Sequence, residues 1–298
     1  MPTPWSPGSA ASSSSSPEES LAPRRVGRDG SLRLGFERRG PRTVLTERRF
    51  TLPLQALEPM DLDGSGVATL MLLNPTGGIL GGDVLETSVT LGPGSHVCLT
   101  TPAATRVYRS AGSPAVQRLV ASVGEGARLE YLPDHLIPSP GARFRQTTEV
   151  RLGAGATMLL ADAWAVGRVA RGEQWRFDEL DLGLVVRDSR GLLLKERSVL
   201  GRARRDGLGG TEGFGYLATF VALAPGREGW GDLAGELFTA LDVLDSGASF
   251  GVSVLGRGGL LARLLCPSAP ALEAVVHTLW TACRQLLLGL APITLRKL

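Results

Sequence analysis

Residues 143–165 read RFRQTTEVRLGAGATMLLADAWA, and they decide the fold class. In the first half, charged and polar residues alternate with Phe144, Thr148, Val150 and Leu152. Successive side chains of a β-strand point to opposite faces, so this alternation predicts a strand with one wet face. The turn GAGA follows, and a second run of strand-forming residues comes directly after it.

Two further turns of the same kind stand upstream, GPGS at Gly92 and GEGA at Gly124. Each lies between strand-like runs, and such runs, rich in Val, Leu and Thr, recur about every ten residues from Ser31 onward. Short glycine-containing turns typically join antiparallel neighbours, so the three turns predict three successive hairpins. The sequence therefore predicts a mainly β, mostly antiparallel domain.

Two helices are predicted, both in the C-terminal third of the chain. Leucines at helical spacing indicate the first over residues 232–244. The second, over residues 270–290, is longer and more apolar, with Pro270 in its first turn and Gly289 near its end. We expect both helices to pack on the β domain.

The composition limits the classes of protein to consider. With 298 residues, 43% of them hydrophobic, the chain can form one large core. Residues 1–30 are rich in Ser and Pro and predict a disordered tail, which leaves residues 31–298 as a single β-rich domain. The net charge of +3 is weak for this length and predicts no nucleic-acid partner. No apolar run is long enough to cross a membrane, and three scattered cysteines fit a cytoplasmic location.

The segment NPTGGILGGD, residues 74–83, contains two glycine pairs that resemble a phosphate-binding loop. A carboxylate follows the second pair where a phosphate loop needs Lys and a hydroxyl, so we expect no nucleotide here. The glycines instead predict a tight loop that buries Ile79 and Leu80 and places Asp83 at its exit. The four loop glycines are Gly77, Gly78, Gly81 and Gly82.

Candidate metal ligands and catalytic groups are sparse. His96 and Cys98 lie two apart on a predicted strand and share a face, but no second matched pair exists, so a permanent metal site is not expected. No Gly-x-Ser-x-Gly motif indicates a hydrolase nucleophile. Carboxylates at or near strand ends suit a transient divalent ion better. These carboxylates are Asp83, Glu86, Glu130, Glu149, Asp162 and Glu173.

Five motifs in this order resemble the UreD (UreH) family of urease accessory proteins. They are NPTGGILGGD, LTTPAATRVYRS, LEYLPDHLI, GARFRQTTEVRL and GRVARGEQWRF. The resemblance runs from about Ser31 to the end of the chain and is specific as an ordered set. It implies a helix-poor scaffold of stacked sheets. Together with the predicted strand direction, this gives stacked antiparallel β-sheets in a helical-ribbon-like arrangement, with two α-helices in the C-terminal third.

The resemblance implies a chaperone of metallocentre assembly and not an enzyme. Such a scaffold joins UreF and, through UreF, the GTPase UreG to apo-urease, and it assists nickel insertion through an internal passage. No cofactor is expected to be bound permanently, and nickel would pass only transiently. Four residues are candidates for a nickel path: Asp83, Glu130, Glu173 and His135.

Two other classes of function stay open from the residues. One is a β-rich hydrolase acting on a small substrate, with His135 and either Asp134 or Glu173 as the acid/base pair. The other is a β-rich module that binds a small ligand. A compact pocket converging on His135 would favour the hydrolase.

Overall fold

The computed structural model describes residues 28–201 and 210–295. Residues 1–27, which contain nearly all of the predicted tail, lie outside this description. In chain order the first ten strands are β1 (Asp29–Arg39), β2 (Arg42–Thr51), β3 (Gln55–Ala56), β4 (Ala68–Leu73), β5 (Val84–Leu91), β6 (His96–Thr100), β7 (Thr105–Val107), β8 (Ala115–Val123), β9 (Arg128–Leu132) and β10 (Leu136–Pro138).

The remaining strands are β11 (Arg143–Leu152), β12 (Thr157–Ala165), β13 (Gly167–Arg168), β14 (Glu173–Gln174), β15 (Glu179–Asp188), β16 (Gly191–Gly201), β17 (Tyr216–Leu223), β18 (Ser249–Leu255) and β19 (Gly259–Cys266). A 3₁₀ turn spans Val169–Arg171, and the two α-helices are α1 (Trp230–Asp242) and α2 (Ala269–Leu288). The prediction of a mainly β protein with two C-terminal helices is therefore confirmed.

Two large sheets stack face to face. The seven-stranded sheet has the order β16-β15-β11-β8-β5-β1-β2, and the ten-stranded sheet contains the path β18-β19-β17-β12-β9-β6-β4-β3. Between β5 and β12 the chain alternates between the sheets, giving one long strand to each in turn. It therefore winds as a stack of flattened coils, which agrees with the expected ribbon-like arrangement.

The predicted hairpins are wrong, because each glycine turn leads from one sheet to the other. The turn at Gly92 joins β5 to β6, and those at Gly124 and Gly153 join β8 to β9 and β11 to β12. For the same reason, the prediction that the sheets are antiparallel is wrong for their central strands. Equivalent strands of successive coils run in the same direction, so β5, β8, β11 and β15 pair in parallel, as do β4, β6, β9 and β12. Antiparallel pairs occur where β2, β3, β16, β17, β18 and β19 join the two stacks.

The glycine turns stack on one another along the edge of the coils. Gly124 donates its N–H to the carbonyl of Leu91, and Gly153 donates to that of Val123, at 2.8 and 2.7 Å. A Cβ atom on Gly124 would lie 2.6 Å from the Leu91 oxygen, closer than real Cβ contacts allow. Glycine is required at this position because the backbones of successive coils approach so closely.

The core has two main layers. One lies between the sheets, where Leu34, Leu99 and Met158 are almost fully buried. The other lies between the ten-stranded sheet and the two helices, where Phe220 and Leu237 are fully buried. The ten-stranded sheet is thus covered on both faces, whereas the outer face of the seven-stranded sheet is open to solvent. The wet face predicted for β11 is this outer face.

Both helices begin and end within two residues of the predicted bounds. The Ser268 side chain accepts a hydrogen bond from the Ala271 N–H and caps α2, and Gly289 ends the helix in the left-handed conformation. Over the described ranges, neither helix is long and apolar enough to cross a membrane.

Candidate functional site

The glycine loop lies beside the space between the sheets. The Ile79 side chain is 1% exposed, and its backbone exchanges hydrogen bonds with Arg106 and Tyr108, each at 2.8 Å. A Cβ atom on Gly78 would lie 2.5 Å from the Tyr108 ring, so that glycine is required by the packing. Burial of Ile79 confirms the prediction, but Leu80 is 56% exposed and was placed wrongly in the core.

Asp83 lies at the exit of this loop and is 4% exposed. Its Oδ2 atom accepts the Leu80 N–H at 2.8 Å, while Oδ1 is buried with no hydrogen-bond partner in the described chain and lies 3.9 Å from Arg28 Nε. Burial raises the pKa of the Asp83 carboxyl, although the Leu80 N–H and the Arg28 charge oppose this change. The loop therefore holds a carboxylate with spare acceptor capacity.

A cavity of about 450 Å³ opens beside the glycine loop. Polar groups from both sheets reach its wall, including Thr87 and Gln117 from the seven-stranded sheet and Tyr131 from the ten-stranded sheet. Gln117 is in direct register with Gln146 of the next coil on the same inner face. Two neighbouring amides on an inward face are unusual in a core made mainly of apolar side chains.

Asp162 lies between the sheets, next to this polar row. Its Oδ1 atom accepts a hydrogen bond from Gln146 Nε2 at 3.0 Å, which joins the two sheets. Burial raises the pKa of Asp162, with the Gln146 bond opposing it, and burial together with the Asp162 charge raises the pKa of Tyr131. Asp162 is nevertheless only half-buried, and the interior here is polar.

Glu130 lies on the opposite face of the ten-stranded sheet, beneath α2, and is 0% exposed. It accepts hydrogen bonds from His96 Nε2 at 2.7 Å, from Arg284 at 2.8 Å and from the Trp280 indole. Burial alone would raise the pKa of Glu130, but the His96 bond and charge, the Arg284 charge and the Trp280 bond together lower it. This arrangement is a saturated structural network, and it lies away from the polar interior.

Glu173 and His135 also lie apart from Asp83. Glu173 forms an ion pair with Arg168 in the small β13–β14 ribbon. His135 Nδ1 is 2.8 Å from Asp134 Oδ1, and both residues line a second cavity of about 500 Å³ beside α2. The four candidates for the nickel path are therefore not brought to one place. Among the residues that the structure describes, no group of three His, Cys, Asp or Glu side chains could hold a metal ion.

The three thiols take no part in the polar interior. Cys98, Cys266 and Cys283 are buried in the layer between the ten-stranded sheet and the helices. Burial raises the pKa of Cys266 to about 11 and that of Cys283 to about 12, so both stay protonated at neutral pH. Polar oxygen and amide groups, and not thiolates, are therefore what the space between the sheets offers to a ligand.

These features define the type of architecture: a wound β-stack with parallel central strands, a polar interior and a glycine loop beside its cavity. The sequence matches the UreD urease accessory protein family over residues 28–297. The chain is 34% identical to the urease accessory protein UreD of Alkalilimnicola ehrlichii over 290 residues, covering 97% of this chain and 95% of the relative. It is 38% identical to that of Dechloromonas aromatica, covering 85% and 88%, and 36% identical to that of Deinococcus radiodurans, covering 91% and 95%. The chain belongs to the UreD family of urease accessory proteins.

Membership in this family supports a role in urease maturation. Asp162 is among the strand-end acids of the sequence but not among the residues predicted for the nickel path, and no sequence pattern pointed to Gln117, Gln146 or Tyr131. One signal was available, because Asp162 is the only charged residue in the apolar run TMLLADAWA. A carboxylate within a run that is otherwise buried marks an unusual environment.

Proposed function

We propose that this protein is a maturation scaffold that joins UreF and, through UreF, the GTPase UreG to apo-urease, and that it assists nickel delivery through the polar space between its sheets. The observation that carries the delivery role is Asp162, a carboxylate on the inner face that contacts Gln146 and neighbours Tyr131. Asp83 provides a second carboxylate at the loop beside the cavity mouth.

The chemistry of the interior fits a cation in transit. Moving a divalent ion out of water without compensating groups is prohibitively costly, so acids and amides must offset its charge along the way. Carboxylate and amide oxygens bind such an ion less tightly than thiolates do, which favours release of the ion at the far end of the path. The raised pKa values of Asp83 and Asp162 mean that their carboxyl groups are costly to ionise when empty, so an arriving cation relieves that cost.

The test is the nickel content of urease matured with variants of this protein. Asp83→Asn and Asp162→Asn keep the side-chain shape and remove the charge, so we expect lower nickel per urease active site with unchanged co-purification of UreF and apo-urease. Asp181→Asn is the matched control, since Asp181 pairs with Arg197 on the solvent side of the seven-stranded sheet. Normal nickel content with the Asp83→Asn, Asp162→Asn double variant would exclude the delivery role.

The scaffold role is tested separately. The wild-type protein should co-purify with UreF and apo-urease, and no UreG should be captured when UreF is omitted. Absence of any wild-type complex would contradict the scaffold role whatever the nickel result. In this proposal the protein has no turnover of its own and holds no resident cofactor.

A ligand-binding role is the second candidate, and one observation favours it. Asp134 and His135 line the cavity beside α2, together with His277 and Trp280. In the part of the chain that the structure describes, its wall is mainly alanine and other apolar side chains, with a threonine hydroxyl but no serine or cysteine to serve as a nucleophile. His135→Gln should leave urease maturation unchanged if this cavity has a separate role, and loss of nickel loading in that variant would return His135 to the delivery path.

A further inference from the structure

One edge of the ten-stranded sheet differs from the other sheet edges. The outermost strand there is β18, and over residues 28–201 and 210–295 no strand pairs with its free side. An edge strand presents unpaired N–H and C=O groups, and soluble proteins usually protect such edges with charge, proline, a bulge or short length. The other three ends of the two main strand paths are protected: β3 has only two residues, and β2 and β16 carry charged side chains. Those side chains are Arg42, Glu47, Arg48 and Arg49 in β2, and Lys195, Glu196 and Arg197 in β16.

The β18 edge has none of these protections. Its sequence, SFGVSVL, contains no charged residue and no proline, and it pairs with β19 in unbroken register over seven residues. The Val254 side chain near its end is 50% exposed. This strand therefore offers a straight, uncharged hydrogen-bonding edge.

Exposed apolar side chains of α1 continue the edge on the helix side. Phe238 is 50% exposed, and its ring packs on Phe250 of β18 with the centroids 5.1 Å apart. Val243, directly after α1, is 76% exposed. A strand added to β18 would place alternate side chains against Phe238 and Val254, so its helix-facing positions must be apolar.

Charge identifies the kind of chain that fits. Residues 230–255 contain four exposed carboxylates and no Lys or Arg. These carboxylates are Asp232, Glu236, Asp242 and Asp245. A second copy of this chain, paired edge to edge, would bring two such acidic segments together, and like charges facing each other oppose association. The edge therefore favours a different chain that carries basic residues.

We propose that the β18 edge is a docking site for an extended segment of another protein, which adds a strand to the ten-stranded sheet. The segment has apolar side chains on the face toward α1 and Lys or Arg residues at its flanks, opposite the α1 carboxylates. Backbone hydrogen bonds supply the pairing, and the apolar and charged positions select the segment. This inference does not depend on nickel delivery.

The test uses the full chain and a fluorescently labelled peptide of alternating Val and Thr with two Lys at each end. Fluorescence anisotropy should show saturable binding that weakens with added salt, because exposed charges are screened. Hydrogen exchange should slow in residues 249–255 when the peptide is bound. A peptide with Glu in place of Lys should bind at least about tenfold more weakly, as the loss of about 1.4 kcal/mol of charge attraction would give.

Val254→Lys places a charge on the edge and should weaken binding of the Lys-ended peptide by about tenfold or more. Val120→Lys is the matched control, since Val120 is similarly exposed at 40% but lies on the central strand β8. Thermal unfolding of both variants checks that each remains folded. Equal binding by the Lys-ended and Glu-ended peptides, or by Val254→Lys and the wild type, would overturn the proposal.

Two other occupants of the β18 edge would give different, distinguishable results. A concentration-dependent dimer in sedimentation, abolished by Val254→Lys, would assign the edge to a second copy of this chain and overturn the proposal. Protection of residues 249–255 from exchange in the free protein, at the level of a central strand, would show that the edge is already occupied within the chain. That result would also overturn it.

Discussion

Glu130→Gln tests whether the network beneath α2 holds the helix to the sheet. The substitution keeps the side-chain shape but removes the charge that faces Arg284, which is 0% exposed. Breaking a buried ion pair costs roughly 3–5 kcal/mol because it leaves the other charge uncompensated. Arg284 keeps Asp63 Oδ2 at 2.8 Å and the Ala291 carbonyl at 3.0 Å, so we expect the lower end, about 3 kcal/mol.

The measurement is the free energy of unfolding from urea titration of the purified protein. With a urea slope of about 1–3 kcal/mol/M, the midpoint should fall by about 1 M or more. Arg118→Met is the control, since Arg118 and Glu86 form an exposed pair at 3.8 Å whose loss should cost no more than about 1 kcal/mol. Replacing both Glu130 by Leu and Arg284 by Met should cost less than the sum of the single changes. A Glu130→Gln variant as stable as the control variant would refute the reasoning.

The pH dependence of this difference has a defined sign. The folded-state pKa of Glu130 is lowered, so its contribution is present above the unfolded pKa of about 4.3 and is lost as the pH falls through the folded value. The stability gap between the wild type and Glu130→Gln should therefore be constant near neutral pH and shrink in acid. A gap that widens below pH 4 would contradict the assigned direction.

Three further expectations can be measured by the same unfolding assay. Trp280→Ala should lower the free energy of unfolding by about 3–5 kcal/mol, since the indole is 3% exposed and donates a hydrogen bond to Glu130. A loss under about 1 kcal/mol would show that Trp280 is not part of the core. Asp162→Asn should leave the free energy of unfolding at pH 7 unchanged or raised. The folded-state pKa of Asp162 is raised, so the wild type loses stability as the pH rises from the unfolded towards the folded pKa, and the two proteins should be equally stable in acid. A variant that is less stable than the wild type at pH 7 would argue against this. Gly77 and Gly78 both have a positive φ, +80° and +153°, so alanine at either position is strained. Gly78→Ala should lower the free energy of unfolding by more than about 1 kcal/mol and by more than Gly77→Ala, because only its Cβ would meet the Tyr108 ring and the Arg106 carbonyl. An equal cost for the two variants would show that these contacts are unimportant.

Local sequence determined most of the elements. Alternation predicted the wet face of β11, leucine spacing predicted α1, and Pro270 with Gly289 bounded α2 to within two residues. These features depend on short-range chemistry: side-chain period, capping and the conformational freedom of glycine. The ordered motifs also sufficed to indicate the UreD family.

Only the tertiary structure decided which strands pair. A turn such as GAGA fixes where β11 ends and β12 begins, but not whether β12 lies beside β11 or stacks on it in another sheet. That choice depends on contacts with earlier coils, such as the Gly153 N–H bonding to the Val123 carbonyl, which are distant in sequence. For a related reason, the sequence did not reveal on which face of the ten-stranded sheet Glu130 and Asp162 lie. Both faces of the ten-stranded sheet are covered, so β9 and β12 show no apolar and polar alternation to reveal that Glu130 faces the helices while Asp162 faces the space between the sheets.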